Sequence, residues 1–190
     1  MSNRELLVAD FGCATGDFAS YLKKKITNEI YGFDINKTFI QTAKRKVKDV
    51  KFKKLNILEK KRFKKNFDIT FSFGTSAHFD SIEKYLSSLI FYTKNKGTII
   101  IESIFNNYDL DVLVKHRYSN DKSNTWHSDW NFFSKETVSK ILKKNVRVKS
   151  FNFNDFELNK TLKKKKEPIR SWSVNLNGKK KLMNGLMFIQ

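Results

Sequence analysis

Cysteine occurs once in the 190 residues, as Cys13, so no disulfide framework can form within the chain. Acidic side chains are few, 19 against 38 lysines and arginines, which leaves a formal net charge of +19. No apolar run approaches the ~20 residues that span a bilayer. Arg4 and Glu5 precede the first apolar segment, which does not fit a signal peptide. The pattern Gly-x-x-x-x-Gly-Lys-Ser/Thr is missing, which argues against a triphosphate-binding loop. The three histidines and the cysteine show no metal-ligand spacing. These absences predict a soluble, cytoplasmic protein, with metal ligands open only to acids brought together from distant loops.

What is present is a globular composition, 39% hydrophobic and 14% aromatic, long enough to bury a core. The basic excess has two readings. A polyanionic partner such as RNA or a phosphorylated substrate is one. A/T-rich coding bias is the other, and it is favoured because only six of the basic residues are arginine, the better marker of specific phosphate recognition.

The apolar pattern alternates between strand and helix. Strands are predicted at Leu6–Phe11, Ile30–Asp34, Val50–Leu55, Phe67–Phe73 and Gly97–Ile101, the last after a turn at Asn95–Lys96. Helices are predicted at Asp17–Ile26, with Phe18, Tyr21 and Leu22 on one face, at Lys37–Lys48, and at Ser81–Thr93. A further helix follows the N-cap Ser134 to Lys144, and Val146–Phe153 and Leu182–Ile189 read as closing strands. Such alternation with short connections argues for an α/β fold, a parallel sheet with helices on both faces. One domain over 1–190 is expected, with insertions at about 104–133 and 154–181. Both are longer than ordinary connections, and the second carries Lys163–Lys166, Pro168 and Trp172.

Gly12 and Gly16 end the first strand in a tight turn whose backbone N–H groups can face a ligand. Asp34 ends the second strand, where a carboxylate can accept both hydroxyls of a ribose. His127 lies two residues from Asp129 and between Trp126 and Trp130. A histidine with a carboxylate to orient it, in an aromatic wall, suits an acceptor pocket. His78 follows the fourth strand, and His116 reads as solvated.

"VADFGCATG" resembles the first motif of class I S-adenosylmethionine-dependent methyltransferases, V-L-D-x-G-C-G-T-G. "YGFDIN" is similar to their second motif, "FDITFSFGTSAHFDSIEKYLSSL" to their fourth strand and the turn after it, and "KNKGTIIIES" to their fifth strand. "DWNFFSKETVSKILKKN" is similar to the late helix entry of small-molecule and sugar O-methyltransferases. The resemblance implies a Rossmann-like sheet of seven mostly parallel strands with a C-terminal antiparallel hairpin, and S-adenosylmethionine as cofactor. It implies that Gly12, Cys13, Ala14 and Gly16 cradle the methionine end, with Asp10 near the amino group. It places Asp34 on the ribose, Ile35 and Ile57 against adenine, Asn56 at the adenine amino group, and Phe73 and Gly74 beside the sulfonium. Ala14 departs from the usual middle glycine, and the helical cap that many relatives carry before strand one is not seen here.

The function expected is O-methylation of a small-molecule hydroxyl on a sugar, nucleotide-sugar or surface polysaccharide unit, phosphorylated acceptors included. His127, oriented by Asp129, is the first choice of base and His78 the second. RNA methylation through the basic stretches Lys44–Lys65 and Lys160–Lys166, and a non-catalytic binding subunit, are the alternatives. A homodimer remains open. The single cysteine lies in the first motif, which argues against a cysteine-nucleophile cytosine methyltransferase, and the Asn/Asp-Pro-Pro-Tyr/Phe signature of base-amino methyltransferases is missing.

Overall fold

A computed structural model describes residues 6–26, 29–61, 66–120, 122–157, 173–176 and 179–190. The whole of Lys160–Lys166, Pro168 and Trp172 lie outside them, as do residues 62–65 of the other basic stretch.

The chain runs β1 (Leu7–Phe11), α1 (Asp17–Lys25), β2 (Glu29–Asp34), α2 (Lys37–Lys46), β3 (Lys51–Lys54), β4 (Phe67–Phe73), α3 (Ile82–Tyr92) and β5 (Thr93–Asn106). It continues through β6 (Lys115–His116), β7 (His127–Ser128), β8 (Phe133–Ser134), α4 (Lys135–Lys144), β9 (Phe151–Glu157), β10 (Ser173–Leu176) and β11 (Lys179–Ile189). The main sheet has the order β3-β2-β1-β4-β5-β11-β10, with β9 also on β11 and β8 on β5. β1 through β5 pair in parallel, and β11 runs antiparallel to β5, β9 and β10. This is the expected Rossmann-like architecture. Among the described residues the sheet counts nine strands, because β8 and β10 add to the expected seven.

Helix caps follow the local chemistry. The Asn36 side chain accepts from Thr38 and Phe39 N–H, Ser81 from Lys84 and Ser134 from Thr137, satisfying first-turn donors at three helix starts. α3 buries Ile82, Tyr85, Leu86, Leu89 and Ile90 as the spacing predicts. Phe11 stacks between Phe33 and Tyr92, each pair of ring centroids 5.0 Å apart. Such buried rings contribute ~1.5–3 kcal/mol each through lost water contact. The opposite face of the sheet packs Val8, Ile30, Ile40, Ala43 and Phe52 under α1 and α2.

Three expectations fail locally. Tyr21 points to solvent, and Ala19 and Leu22 carry the inner face of α1 instead. β5 begins at Thr93, directly after α3, and runs 14 residues. Lys96, at φ +66°, bends it at the predicted turn without ending it. Val146 is fully exposed and the strand expected there starts at Phe151.

Candidate active site

The carboxyl ends of β1, β2, β3 and β4 open onto one cavity of about 560 Å³. Its wall contains Gly12, Ala14, Asp34, Ile35, Asn56, Ile57, Phe73, Gly74 and His78 of the residues singled out from the sequence. Phe11, Phe33, Asn36, Phe39, Leu55, Thr75 and Phe79 join them. Parallel strands with successive crossover helices place all these ends on one edge, where open α/β sheets take ligands.

The turn after β1 is fastened to β2 by backbone. Gly12 and Cys13 N–H both donate to Phe33 C=O, at 2.8 and 3.0 Å. Asp34 continues the fastening: Oδ2 accepts Ala14 N–H at 3.0 Å and Oδ1 accepts Asn36 N–H at 2.8 Å. Gly12 has φ +82°, and a Cβ there would run into the Thr75 side chain, so no other residue fits without rearrangement. Ala14 sits at φ +45°, a left-handed conformation that costs a non-glycine residue ~1–2 kcal/mol.

Cys13 and Gly16 do not reach the cavity. Cys13 turns into the core under α1, where burial holds its thiol above the ordinary range. Gly16 is the N-cap of α1, and a Cβ on it would meet Phe52 Cζ at 2.7 Å. Asp10 lies behind the turn, 3% exposed, with Oδ2 lacking a hydrogen-bond partner. Burial first, then the Asp34 charge, push its carboxyl up to about 7.

At its other end, the cavity wall at His78 and Phe79 is tied to a segment distant in sequence. β6 and β7 form a two-stranded antiparallel ribbon with His116 opposite His127 and Lys115 opposite Ser128. Asn131, 1% exposed, ties this ribbon to the loop after β4. Its N–H donates to Ala77 C=O at 3.0 Å, its Nδ2 to Phe79 C=O at 2.9 Å, and its Oδ1 accepts Val114 N–H at 2.8 Å. Ser128 and Lys115 both donate to Asp80. These ties bring Asp129 onto His78, with Oδ1 to Nδ1 at 2.5 Å. Asp129 Oδ2 is 3.5 Å from His116 Nδ1.

Asp129 therefore meets His78, and not His127 as the sequence spacing suggested. A separation of two residues along a strand points both side chains to one face without bringing them into contact. His127 instead faces His116, with ring centroids 5.7 Å apart, and is exposed away from the cavity wall. Among the described residues no three His, Cys, Asp or Glu side chains are placed to hold a metal ion. Two functional candidates went unread in the sequence. Asn131 lies in the DWNFFSKETVSKILKKN stretch, and a buried Asn between two loops has no sequence signal. Glu102 on β5 stands 3.9 Å behind the Cβ position of Gly74, and burial holds its carboxyl above the usual range.

A family model described as a methyltransferase domain matches residues 2–184. No curated protein matches the chain. Among solved structures, the chain is similar to a putative S-adenosylmethionine-dependent methyltransferase from Listeria monocytogenes, at 14% identity and a TM-score of 0.63 over 98% of this chain and 90% of that one. It is also similar to magnesium protoporphyrin IX methyltransferase from Synechocystis with bound SAM, at 14% identity and 0.57, over 98% and 70%. A TehB-like SAM-dependent methyltransferase from Corynebacterium glutamicum is 22% identical with a TM-score of 0.47, over 54% of this chain. The chain spans 57% of that protein's length. At these identities the likeness to the first two structures establishes the fold alone.

Proposed function

From the premise that the chain belongs to the methyltransferase-domain family, we propose that it is an S-adenosylmethionine-dependent O-methyltransferase of a small-molecule hydroxyl, with His78 as base. The cavity residues fit the cofactor. Asp10 keeps a buried, unpartnered carboxylate oxygen behind the glycine turn, the chemistry that an ammonium group would satisfy. Ile35 and Phe39 are 62% and 42% exposed on either side of Asn36, apolar surface that a flat ring would cover. Asp34 retains lone pairs for ribose hydroxyls beyond its two backbone bonds. Asn56 Oδ1 accepts Leu58 N–H at 3.1 Å, which fixes the amide at the adenine end. When bound, the cofactor supplies a methyl group already activated by its sulfonium.

The rest of the work is done by the chain. The cavity must align the acceptor hydroxyl and exclude water. The observation that carries the base assignment is His78 on the cavity wall with Nδ1 on Asp129. A carboxylate there holds the proton on Nδ1 and leaves the Nε2 lone pair to accept the hydroxyl proton. Trp126, Trp130 and Tyr118, each more than half exposed, give the ribbon flat apolar surfaces on which a sugar face can stack, which supports a sugar acceptor.

The test has two arms. Calorimetry with S-adenosylhomocysteine should show binding, and loss of that binding would remove the cofactor assignment. Methyl transfer from labelled S-adenosylmethionine should then be measured on a panel of sugars, nucleotide-sugars and RNA. Transfer to RNA alone would replace the small-molecule reading. Binding without transfer to any acceptor would favour a non-catalytic subunit.

A further inference from the structure

Resting on the assignment of His78 as base, we propose that His116 is a positioning residue that shares the Asp129 carboxylate with His78. It thereby sets how far down in pH His78 stays a neutral proton acceptor. The carboxylate offers one oxygen to each ring: Oδ1 to His78 Nδ1 at 2.5 Å and Oδ2 to His116 Nδ1 at 3.5 Å. One negative charge can fully balance only one imidazolium. A proton on His116 therefore draws on the same charge that would stabilise a proton on His78, and the two cations repel.

The backbone keeps Asp129 between the rings. Its N–H donates to Val114 C=O at 3.2 Å, and Asn131 anchors the chain two residues on. Strand alternation separates the other charges. Lys115 and Ser128, on the opposite face of the ribbon, are turned to Asp80, and Arg117 lies over the Trp126 ring at 5.2 Å. The groups left facing His116 are Asp129, His127 with ring centroids 5.7 Å away, and Tyr118 at 5.9 Å, with His78 across the carboxylate. His127 is a second like charge when protonated, acting in the same direction from farther off Asp129.

The arrangement has a use. As pH falls, His116 takes up a proton in competition with His78, and His78 remains a neutral base to lower pH than a lone His–Asp pair would. Protons exchange only with water, so no covalent step or co-reactant is involved.

The test needs neither cofactor nor acceptor. The full chain is labelled with ¹⁵N-histidine and the three imidazoles are followed by NMR across a pH titration. His116→Gln should move the titration of His78 to higher pH, by roughly half a unit for two like charges ~6 Å apart screened as in bulk water. Asp129→Asn should move both His78 and His116 to lower pH. His127→Gln should move His78 by less than His116→Gln does. An unmoved His78 in His116→Gln, with the expected response in Asp129→Asn, overturns the sharing and leaves the base assignment standing. Equal shifts in His116→Gln and His127→Gln also overturn it, since charge removal anywhere nearby would then suffice. No response of His78 to either His116→Gln or Asp129→Asn removes the sharing and the His78–Asp129 pair together. Should His116→Gln lose amide dispersion, His116→Asn provides the same measurement. With an acceptor in hand, the acid limb of the rate profile in His116→Gln should rise by the same interval as the NMR titration.

Discussion

The two ends of the cavity are held by different means. At the β1–β2 end, the fastening is backbone to backbone or backbone to carboxylate: Gly12 and Cys13 on Phe33, Ala14 and Asn36 on Asp34. At the ribbon end it is largely side chain to side chain, across 51 residues for His78–Asp129 and 48 for Ser128–Asp80. Backbone fastening near in sequence needs only strand pairing and a glycine turn. Fastening between distant surface side chains must await the fold, orders flexible groups, and is screened by water. The first end suits a cofactor that family members share, the second an acceptor that differs between them.

Substitutions can break this division, and the largest effect is expected at the ribbon end. His78→Ala should reduce turnover by ~10²–10⁴ while leaving S-adenosylhomocysteine affinity near wild type. His127→Ala should cost far less, since Asp129 does not orient it. Steady-state rates beside calorimetry check both, and a larger loss in His127→Ala would restore the order inferred from sequence.

At the cofactor end, Asp10 has the next largest expected effect, with an unusual sign. Its folded carboxyl is raised to about 7 by burial and by Asp34. The folded chain therefore keeps that proton through a range where the unfolded chain, near ~3.9, has lost it. Stability falls as pH rises from about 4 to about 7 and then levels off. Asp10→Asn should remove that slope and add up to ~4 kcal/mol above pH 7, while weakening cofactor binding. Denaturant melts at several pH values test this. A constant difference between the two proteins across pH would show that Asp10 is not the group responsible.

Asp34→Ala should weaken cofactor binding by ~1.5–3 kcal/mol through lost charge-assisted hydrogen bonds. Because Asp34 also holds Ala14 and Asn36 N–H, the variant should lose thermal stability as well, which a ligand contact alone would not cause. The smallest effect belongs to Ala14→Gly. Relief of the left-handed backbone at φ +45° is offset by the greater freedom of glycine in the unfolded chain, for a net gain of ~0.5–1 kcal/mol. A loss of stability in melts would mean that the Ala14 methyl group contributes contacts outweighing the strain.

How much could be read in advance differs between the two ends for the same reason. β4 and the cap Ser134 lie where periodicity and capping chemistry put them. Gly12, Asp34, Asn56 and Gly74 reach one cavity because each closes a strand of one parallel sheet. Gly16 and Cys13 looked like ligand contacts, but a glycine in a turn serves a helix cap or a close approach equally well, and here Phe52 decides. The partner of Asp129 was misread because the sequence offers only neighbours along the chain.

The sequence by itself determined the alternation of strand and helix, the glycine turn and the acid that closes β2, because each depends on periodicity or backbone chemistry within a few residues. The tertiary structure decided which histidine Asp129 would meet. Asn131 and Asp80 fold the ribbon back onto the loop after β4, and a contact across 51 residues comes into being only once the sheet has placed both ends on the same edge.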